Sequence, residues 1–381
     1  MRHWTINGRF LTQPVTGVQR YARAIVVSLD RHLAQGHPLG RDLELEIVAP
    51  PCAENDLGLG RIGFRRAGRG SGHLWEQIEL PRAARGGLLS LCNVGPLAAH
   101  NQILCIHDVN PRLAPQSYSR AFRTFYRVLL PALGATAARV ATVSQFSAEQ
   151  IVDFGIAPKG KITVIPNGRE HALRWSARHS AATQAIAGSQ TILVVGSPAP
   201  HKNVAMLMGL AADLAAAGLQ LAVIGSLDAR VFSSRQSGDP PANVRLLGRL
   251  ADGEIAALLK DCLCLAFPSF TEGFGLPPLE AMTLGCPVVV SDRASLPEIC
   301  ADAALYAPPD DPKRWLAHFI ELGRNAALRE ELSRRGRVAA ERFSWQSSAE
   351  LYLRAMAEID GLPEIHLEHL EDHRRAAVSG C

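Results

Sequence analysis

The sequence predicts an α/β protein of two doubly wound domains, each with a parallel sheet covered by helices on both faces. The chain has 381 residues, of which 47% are apolar and 20% charged, and this suits two globular domains better than one. Short continuous apolar runs alternate with stretches of helical periodicity, and the alternation occurs twice. Parallel strands have continuous apolar runs because both of their faces are buried.

The first set of elements predicts a domain over residues 1–180. Helical periodicity covers residues 17–33 and 119–135. The predicted strands end in Gly, Asn, Asp or Ser, and they cover 43–50, 87–95, 101–109 and 138–146.

The second set predicts a domain over residues 189–343, and the strandless segment 174–190 is expected to contain the linker. Ser344 can cap a helix over 344–360, which could cross back to the first domain, whereas the tail 361–381 is assigned no role. A helix is predicted at 203–218, and the predicted strands cover 191–197, 219–226, 244–248, 262–269 and 287–292.

Apolar run lengths and cysteine placement bear on the compartment. No apolar run approaches the ~18 residues of a membrane span, and the N-terminus MRHWTINGRF lacks a signal-peptide pattern. We therefore expect a cytoplasmic protein. Most of the eight cysteines lie in apolar runs and are expected to be reduced and buried. The pair Cys262 and Cys264 has no matching second pair, which argues against a metal knuckle.

The net charge of +4 is unevenly distributed. Residues 1–185 contain 22 Lys and Arg against 12 Asp and Glu, whereas the remainder contains 18 against 24. A basic half suggests anionic lipid headgroups, phosphorylated substrates or nucleic acid. No aromatic-plus-basic repeat is present, so nucleic acid is not expected. A basic cluster favours reversible docking on an anionic membrane surface, although it could equally be a solubilising loop; its members are Arg61, Arg65, Arg66 and Arg69.

The stretch PSFTEGFGLPPLEAMTLGCPVVVSD, residues 268–292, predicts a loop after a buried strand and then a short helix. Gly273 and Gly275 let the backbone approach a ligand, and free N–H groups at a helix N-terminus attract phosphate. Glu280, about one turn into the helix, can accept hydrogen bonds from a ribose, and Glu272 can reach a second polyhydroxylated group. A nucleoside diphosphate sugar fits this pattern. The dipole alone also favours Glu in a first helical turn, and Glu272 could be a solvated loop residue.

The same stretch resembles the donor-binding signature of retaining glycosyltransferases of family 4, and within it most closely bacterial mannosyltransferase-like members of surface polysaccharide assembly. The resemblance implies the GT-B fold, with two facing Rossmann-like domains and the active site in the interdomain cleft. It extends over most of the chain, through TGVQRYAR (16–23), CIHDVNP (105–111), ATVSQFSAEQI (141–151), VIPNG (164–168), VVGSPAPHKNV (194–204) and FSWQSSAELY (343–352).

The resemblance implies catalytic roles for His107, Lys202 and Glu272. Lys202 matches the lysine on the donor phosphates, Glu272 the glutamate at the transferred sugar, and His107 the histidine at the sugar and acceptor side. The implied donor-binding residues are Gly17, Ser197, Lys202, Glu272, Gly273, Phe274, Gly275, Leu276 and Glu280.

Structural explanations compete with three of these roles. Lys202 could be a solvated residue at the start of a helix. His107, next to Asp108, could be a histidine whose hydrogen bonds are met within the fold, and Gly17 could be part of a turn. Ser197 stands where many family members have arginine. A second cation would then have to come from His201 or Arg20.

No Asp-x-Asp occurs and no set of His, Asp and Glu has an obvious ligand spacing, so we expect neither a bound metal nor a cofactor. A lone G-x-G-x-x-G at 58–63 neither follows a predicted strand nor precedes a helix, which argues against an NAD-dependent dehydrogenase. The remaining alternatives are another GT-B enzyme, such as a sugar-nucleotide epimerase or phosphorylase, and a catalytically silent carbohydrate-binding protein.

The expected donor is GDP-mannose, ahead of UDP-glucose and UDP-N-acetylglucosamine, and the expected acceptor is a saccharide or polyprenyl-linked saccharide. The resemblance implies retention of the anomeric configuration. Asp108 is the one carboxylate near His107, and its place beside the histidine in a strand points it elsewhere. We therefore expect a front-face reaction in which the departing phosphate takes the acceptor proton and His107 positions the sugar.

Overall fold

The computed structural model describes residues 1–225 and 241–362, and the chain divides into two compact units. Unit 1 contains Met1–Val109, Thr124–Gly168 and the chain from Ser344 onward, whereas unit 2 contains Asn110–Arg123 and Arg169–Phe343. Ser226 of one predicted strand and residues 363–381 of the predicted tail lie outside the described residues.

Each unit contains one sheet whose described strand pairs are all parallel. Unit 1 has seven strands in the order β3-β2-β1-β4-β5-β6-β7, and unit 2 has six in the order β10-β9-β8-β11-β12-β13. The strands of unit 1 are β1 Arg2–Asn7, β2 Leu43–Ala49, β3 Gly63–Arg66, β4 Gly87–Ser90, β5 Gln102–Cys105, β6 Arg139–Thr142 and β7 Ile162–Val164. Those of unit 2 are β8 Thr191–Val195, β9 Gln220–Ile224, β10 Val244–Gly248, β11 Cys264–Phe267, β12 Val288–Ser291 and β13 Ala304–Ala307.

The chain order of the strands reverses once in each sheet, between β1 and β4 in unit 1 and between β8 and β11 in unit 2. Ligands of open parallel sheets bind at the carboxyl ends of the strands beside such a reversal. The loops after β1, β4, β8 and β11 are therefore the first places to look for a site.

Helices connect the strands of both sheets. The helices of the first half are α1 Gly17–Ala34, α2 Gly72–Leu74, α3 Leu80–Ala83, α4 Asn110–Leu113, α5 Arg120–Thr136, α6 Gln145–Asp153 and α7 Glu170–Leu173. Those that follow are α8 Ala181–Gln184, α9 Val204–Gly209, α10 Ala211–Ala216, α11 Asp252–Asp261, α12 Leu276–Leu284, α13 Leu296–Cys300, α14 Pro312–Arg324, α15 Ala326–Ala340 and α16 Trp345–Ile359.

Helix α16 packs within unit 1 against α1. The hydroxyl groups of Tyr21 and Tyr352 lie 2.9 Å apart, and Ser348 Oγ donates to the Pro166 carbonyl at 2.7 Å. Ser344 accepts hydrogen bonds from the backbone N–H groups of Gln346 and Ser347, so it caps α16. Helix α16, the last described helix, therefore belongs to unit 1, which also contains β1.

The unit boundaries differ from those expected in two places. The segment Asn110–Arg123 belongs to unit 2, where Thr271 Oγ1 donates to Asn110 Oδ1 at 3.0 Å and the ring of Tyr118 stacks on that of His201. The segment expected to contain the linker also belongs to unit 2, because the Arg178 N–H donates to the Gly253 carbonyl at 3.0 Å. These contacts depend on residues far away in the sequence, which local patterning does not reveal.

Strands β1, β3, β7 and β13 have no counterpart among the predicted strands. Strand β1 is central, yet buried polar residues interrupt its apolar pattern: Thr5 Oγ1, for example, donates to the Arg85 carbonyl at 3.0 Å. Strands β3 and β7 lie at the edges of their sheet and are partly exposed, so they lack a continuous apolar run. No helix within the described ranges is long and apolar enough to cross a membrane.

Candidate active site

The loop between β11 and α12 holds the first group of candidate residues in unit 2. Ser295 Oγ lies within hydrogen-bond distance of the carbonyls of Glu272 and Phe274, at 3.0 and 2.9 Å, so one buried hydroxyl ties both sides of the loop. Gly275 adopts a φ of 101°, and a Cβ there would lie 2.7 Å from Leu296 Cδ2. The left-handed backbone conformation therefore favours glycine at this turn, whereas the Leu296 side chain could shift to admit a Cβ.

Helix α12 begins at Leu276, directly after this turn. Pro277 and Pro278 occupy its first turn, where a missing backbone N–H costs no intrahelical hydrogen bond. Phe274 is buried and its ring makes an edge contact with Phe343, at 5.4 Å between centroids. The backbone at the start of α12 is therefore fixed in place, with the positive end of the helix dipole beside the loop.

Lys202 and Glu272 form an ion pair at the carboxyl ends of β8 and β11. Lys202 Nζ lies 2.7 and 2.9 Å from the two carboxylate oxygens. The Lys202 side chain is 24% exposed and that of Glu272 is 10% exposed. Lys202 Nζ also lies 5.6 Å from the centroid of the Phe267 ring. Lys202 was predicted to contact the donor phosphates and Glu272 the transferred sugar. The two side chains contact each other, where the strand order of the sheet reverses.

Glu280 contacts a residue that the sequence analysis missed. His171 Nε2 lies 2.9 Å from Glu280 Oε1, and both residues are buried. The His171 ring makes an edge contact with Trp175, at 5.5 Å between centroids. His171 is the third residue after the motif VIPNG, so the signal that could have found it was the Glu-His pair of α7.

His201 does not supply the second cation considered from the sequence. Its Nδ1 lies 2.9 Å from Ser117 Oγ, and its ring stacks on Tyr118. Burial, followed by the positive charge of Lys202, lowers the pKa of His201, with Glu272 opposing in part. The imidazole is therefore neutral at pH 7. Ser197 lies exposed in the loop after β8.

The structure places His107 in unit 1, two residues after the end of β5. Its Nε2 lies 2.8 Å from the Leu91 carbonyl, so Nε2 carries the proton and Nδ1 keeps a lone pair. The ring makes an edge contact with Tyr21, at 4.7 Å between centroids. Burial lowers the pKa of His107 to about 4, although the hydrogen bond to Leu91 acts in the opposite direction. His107 is therefore a fixed, neutral imidazole.

Gly17 is the first residue of α1, and it is exposed. A Cβ at this position would meet no atom within 4 Å, so the fold itself does not require glycine there. The hydroxyl of Tyr21, one turn further on, donates its single proton to the Ile165 carbonyl at 3.1 Å and accepts from the Tyr352 hydroxyl. No local pattern singled out this buried tyrosine, although it lies in the motif TGVQRYAR.

Among the described residues, no group of three His, Cys, Asp or Glu side chains is arranged to hold a metal ion. Cys262 and Cys264 are buried, and burial raises the pKa of Cys264. Cys262 Sγ instead lies 3.5 Å from Cys286 Sγ, and the hydrogen bond with Cys286, together with burial, raises the pKa of Cys262.

The fold and this geometry define a class of protein: two Rossmann-like α/β units, one of which places a lysine–carboxylate pair and a glycine turn at its strand-order reversal. Residues 177–339 match the family described as "Glycosyl transferases group 1", and they form a group 1 glycosyl transferase domain. The assignment to a glycosyltransferase family is thereby confirmed for these residues, whereas the number of the family stays a prediction.

Curated relatives support this family. The chain is 27% identical over 267 residues to O-antigen chain mannosyltransferase B of Escherichia coli, covering 66% of this chain and 69% of the relative. It is 30% identical over 217 residues to O-antigen chain mannosyltransferase RfbU of Salmonella typhimurium, covering 56% and 59%.

The fold also resembles that of solved structures. Sucrose-phosphate synthase from Thermosynechococcus elongatus superimposes with a TM-score of 0.68 at 17% identity, covering 95% of this chain and 100% of that one. The predicted α/β class with two Rossmann-like domains of the GT-B type is confirmed.

Proposed function

We propose that the chain is a retaining hexosyltransferase that transfers mannose from GDP-mannose to a saccharide or polyprenyl-linked acceptor in cell-surface polysaccharide biosynthesis. The observation that carries this proposal is the Lys202–Glu272 pair beside the N-terminus of α12. The choice of mannose draws on the similarity to two proteins named as O-antigen mannosyltransferases.

Lys202 is proposed to act on the donor diphosphate. Its ammonium is held by one carboxylate and keeps about a quarter of its side-chain surface in solvent. Because the ammonium of this pair is partly exposed, a diphosphate with its higher negative charge can reach it and replace the carboxylate. Lys202 and the N–H groups at the start of α12 then stabilise the charge that grows as the sugar–phosphate bond breaks.

The proposed chemical step occurs on one face of the sugar. An acceptor hydroxyl oxygen forms a bond to the anomeric carbon while the bond from that carbon to the phosphate oxygen breaks. The hydroxyl proton passes to the departing phosphate oxygen, so the products are a glycoside and a nucleoside diphosphate. Glu272 and the neutral His107 are assigned to orienting the sugar, and Glu280 to accepting from the ribose hydroxyls. Since Lys202 supplies the positive charge, the reaction is proposed to need no bound metal.

A test of this function measures release of nucleoside diphosphate from a panel of GDP- and UDP-sugars, with and without methyl hexoside acceptors, in buffer containing EDTA. We expect release that depends on the acceptor and is fastest with GDP-mannose. Proton NMR of the product should show the anomeric configuration of the donor. An inverted anomeric centre, an epimerised donor, or donor binding without turnover would each contradict the proposal.

We also propose that unit 1 docks on the anionic inner face of the plasma membrane, where a polyprenyl-linked acceptor would be found. Two arginines of the basic cluster make internal contacts: Arg65 with Glu46, and Arg66 with the Ala53 carbonyl. The proposed surface therefore shifts toward exposed apolar side chains, namely Leu74, Phe125 and Val128, together with the exposed Arg127. The rings of His73 and Phe125 lie 5.7 Å apart, which places Leu74 beside α5.

Sedimentation with phosphatidylglycerol vesicles tests this docking. Binding should weaken several-fold between 0.05 and 0.5 M salt, roughly as expected when the Debye length shortens. Phe125→Ser with Val128→Ser should reduce binding, whereas Leu173→Ser, an exposed leucine in unit 2, should leave it unchanged. Binding that is insensitive to salt, or equal for both variants, would rule out this surface.

A further inference from the structure

A polar group lies at the carboxyl end of the unit 1 sheet, in which Asn7, Arg9 and Glu76 are buried and His73 is exposed. We call it the Arg9 cluster, and its members are Asn7, Arg9, His73 and Glu76. Arg9 Nε donates to Glu76 Oε1 at 2.9 Å, and Asn7 Nδ2 donates to the same oxygen at 2.7 Å. His73 Nδ1 lies 3.1 Å from Glu76 Oε2.

The turn after β1 places Arg9 in this cluster. A Cβ on Gly8 would lie 2.7 Å from Ala49 Cβ and 2.8 Å from the Val48 carbonyl oxygen, so only glycine lets the chain approach β2 this closely. The Arg9 N–H then donates to Asn7 Oδ1 at 3.2 Å. Asn7 therefore fixes both the backbone of Arg9 and the carboxylate that Arg9 faces.

Glu76 is ionised despite its burial. Burial by itself would raise the pKa of Glu76, but hydrogen bonds from His73, Asn7 and Arg9, together with the Arg9 charge, lower it below the ordinary value. The side chains of Arg9 and Glu76 are only 8% and 1% exposed. The Arg9–Glu76 ion pair is therefore buried, and the two charges neutralise each other.

Arg9 retains hydrogen-bonding capacity that the fold does not use. A guanidinium has five N–H donors, and within residues 1–225 and 241–362 the side chain of Arg9 makes its hydrogen bond through Nε alone. The terminal N–H groups are therefore left without a protein acceptor in that described part of the chain. Among the described residues, the terminal nitrogens of Arg9 are not among the buried side-chain atoms that lack a partner, so they reach solvent and are open to a ligand.

Other polar residues of unit 1 interact electrostatically with the Arg9 cluster. Burial raises the pKa of Tyr126, with the charges of Arg9, Glu76 and Asp108 acting on it as well. The charges of Arg9 and Glu76 also act on Cys92, which follows β4. Residues after β1, β4 and β5 and on α5 thus lie within electrostatic reach of one another, on both sides of the strand-order reversal of this sheet.

The charge balance selects the chemistry of a ligand. Glu76 already neutralises Arg9, so this pair gives an anionic group no net attraction. A neutral sugar ring instead presents hydroxyl oxygens that accept from the guanidinium and hydroxyl protons that carboxylates accept.

We propose that Arg9 is an acceptor-recognition residue, whose terminal N–H groups donate to hydroxyl oxygens of a neutral hexose in the acceptor, and that Glu76 is the positioning residue that fixes its guanidinium. This inference rests on the proposed transferase function and assigns the acceptor side of that reaction to the Arg9 cluster.

The test compares Arg9→Lys with Arg31→Lys, because Arg31 is an exposed arginine of α1 in the same unit. Lysine keeps the charge opposite Glu76 but loses the planar pair of terminal donors. With methyl α-mannoside as acceptor, Arg9→Lys should raise the KM for the acceptor by about 10-fold, the effect of one lost charge-assisted hydrogen bond. The KM for the donor and the slow hydrolysis of the donor without acceptor should stay within about twofold.

A double variant guards against misfolding. Arg9→Met with Glu76→Gln removes both charges together, so neither is left buried and unpaired. It should fold, bind the donor and show the same rise in acceptor KM. An unchanged acceptor KM, an equal rise in both KM values, or a preference for methyl glucuronide over methyl mannoside would overturn the inference. If the unmodified protein neither binds nor hydrolyses any nucleotide sugar, the proposed function itself is wrong and the inference is overturned with it.

Discussion

The two units hold their charged groups in different ways, although both groups lie at the carboxyl ends of similar parallel sheets. In unit 2 the Lys202–Glu272 pair keeps 24% and 10% of its side-chain surfaces exposed. In unit 1 the Arg9–Glu76 pair keeps 8% and 1%. A partly exposed pair can exchange one partner for a ligand at little cost, whereas a buried pair is costly to break. From this comparison we predict that unit 2 rearranges when it binds a ligand and that unit 1 presents a preformed surface.

The largest expected effect tests the exchangeable pair in unit 2. Lys202→Met should lower turnover by a factor of about 10² to 10³, because the variant loses a positive charge aimed at the developing charge of the leaving group. Turnover at saturating donor and acceptor measures it. Lys260→Met, which replaces an exposed lysine of α11, should have no effect.

A double variant separates loss of the charge from disturbance of its partner. Lys202→Met leaves the Glu272 carboxylate without its ammonium, so Lys202→Met with Glu272→Gln removes the unpaired charge as well. If Lys202 acts on the diphosphate, the double variant should remain as slow as Lys202→Met. Recovery to within a few fold of the original turnover would show that the pair only stabilises the loop, and would remove the contrast between the units.

The second-largest expected effect concerns Glu272 and Glu280, whose substitutions should change different kinetic constants. Glu280→Gln should raise the KM for the donor by about 10-fold with little change in turnover, since a ribose contact is equal in the ground and transition states. Glu272→Ala should lower turnover as well, because this carboxylate orients the sugar under attack. Initial rates over a range of donor concentrations distinguish the two results.

His171 supplies a matched control for the role of Glu280. His171→Asn removes the contact to Glu280 Oε1 without touching the carboxylate itself. It should therefore raise the donor KM less than Glu280→Gln does. Equal changes in donor KM for Glu272→Ala and Glu280→Gln, with turnover unchanged in both, would contradict the division of roles.

The sequence predicted unit 2 better than unit 1, and the reason is physical. In unit 2 a strand, a glycine turn and a helix start follow one another within residues 262–284, so local spacing reveals both the turn and its carboxylates. The partner of Glu280 was missed because His171 lies 109 residues away. Likewise, no local pattern indicated that Ser295 would anchor the loop through a hydroxyl.

In unit 1 the polar groups come from separate parts of the chain. Arg9 and Glu76 are 67 residues apart, and the hydroxyls of Tyr21 and Tyr352 are 331 residues apart. Each of these residues alone is typical of a solvated loop or an ordinary helix. The arginines predicted to face a membrane are the opposite case, in which a clear local pattern did not reveal the contacts. Arg65 binds Glu46 and Arg66 donates to the Ala53 carbonyl, both within unit 1. Only the tertiary fold distinguishes these cases.

The smallest expected effect on turnover concerns His107, in the proposed preformed surface of unit 1. His107 is buried with its pKa lowered to about 4, and its Nε2–H is committed to the Leu91 carbonyl. A neutral group that orients the sugar loses one hydrogen bond when it is removed, so His107→Ala should lower turnover on the order of 5-fold. The pH optimum should not move, because no group with this pKa titrates between about pH 6 and 9.

The same lowered pKa gives His107 a signature in stability. An unfolded imidazole has a pKa of about 6.5, so between pH 6.5 and about 4 the unfolded chain binds a proton that the folded chain does not. Stability attributable to His107 is therefore complete above pH 6.5 and is lost as the pH falls toward 4. Relative to His107→Gln, whose amide can still donate to Leu91, the original protein should lose up to about 3 kcal/mol over this window. Thermal unfolding from pH 4 to 8 measures the difference, with His3→Gln at an exposed position as control. Two results together would contradict this prediction: a shifted pH optimum in His107→Ala, and the same pH dependence of stability in the original protein, His107→Gln and His3→Gln. They would identify His107 as a titrating base. The contrast between a preformed unit 1 and an exchangeable unit 2 would then no longer hold.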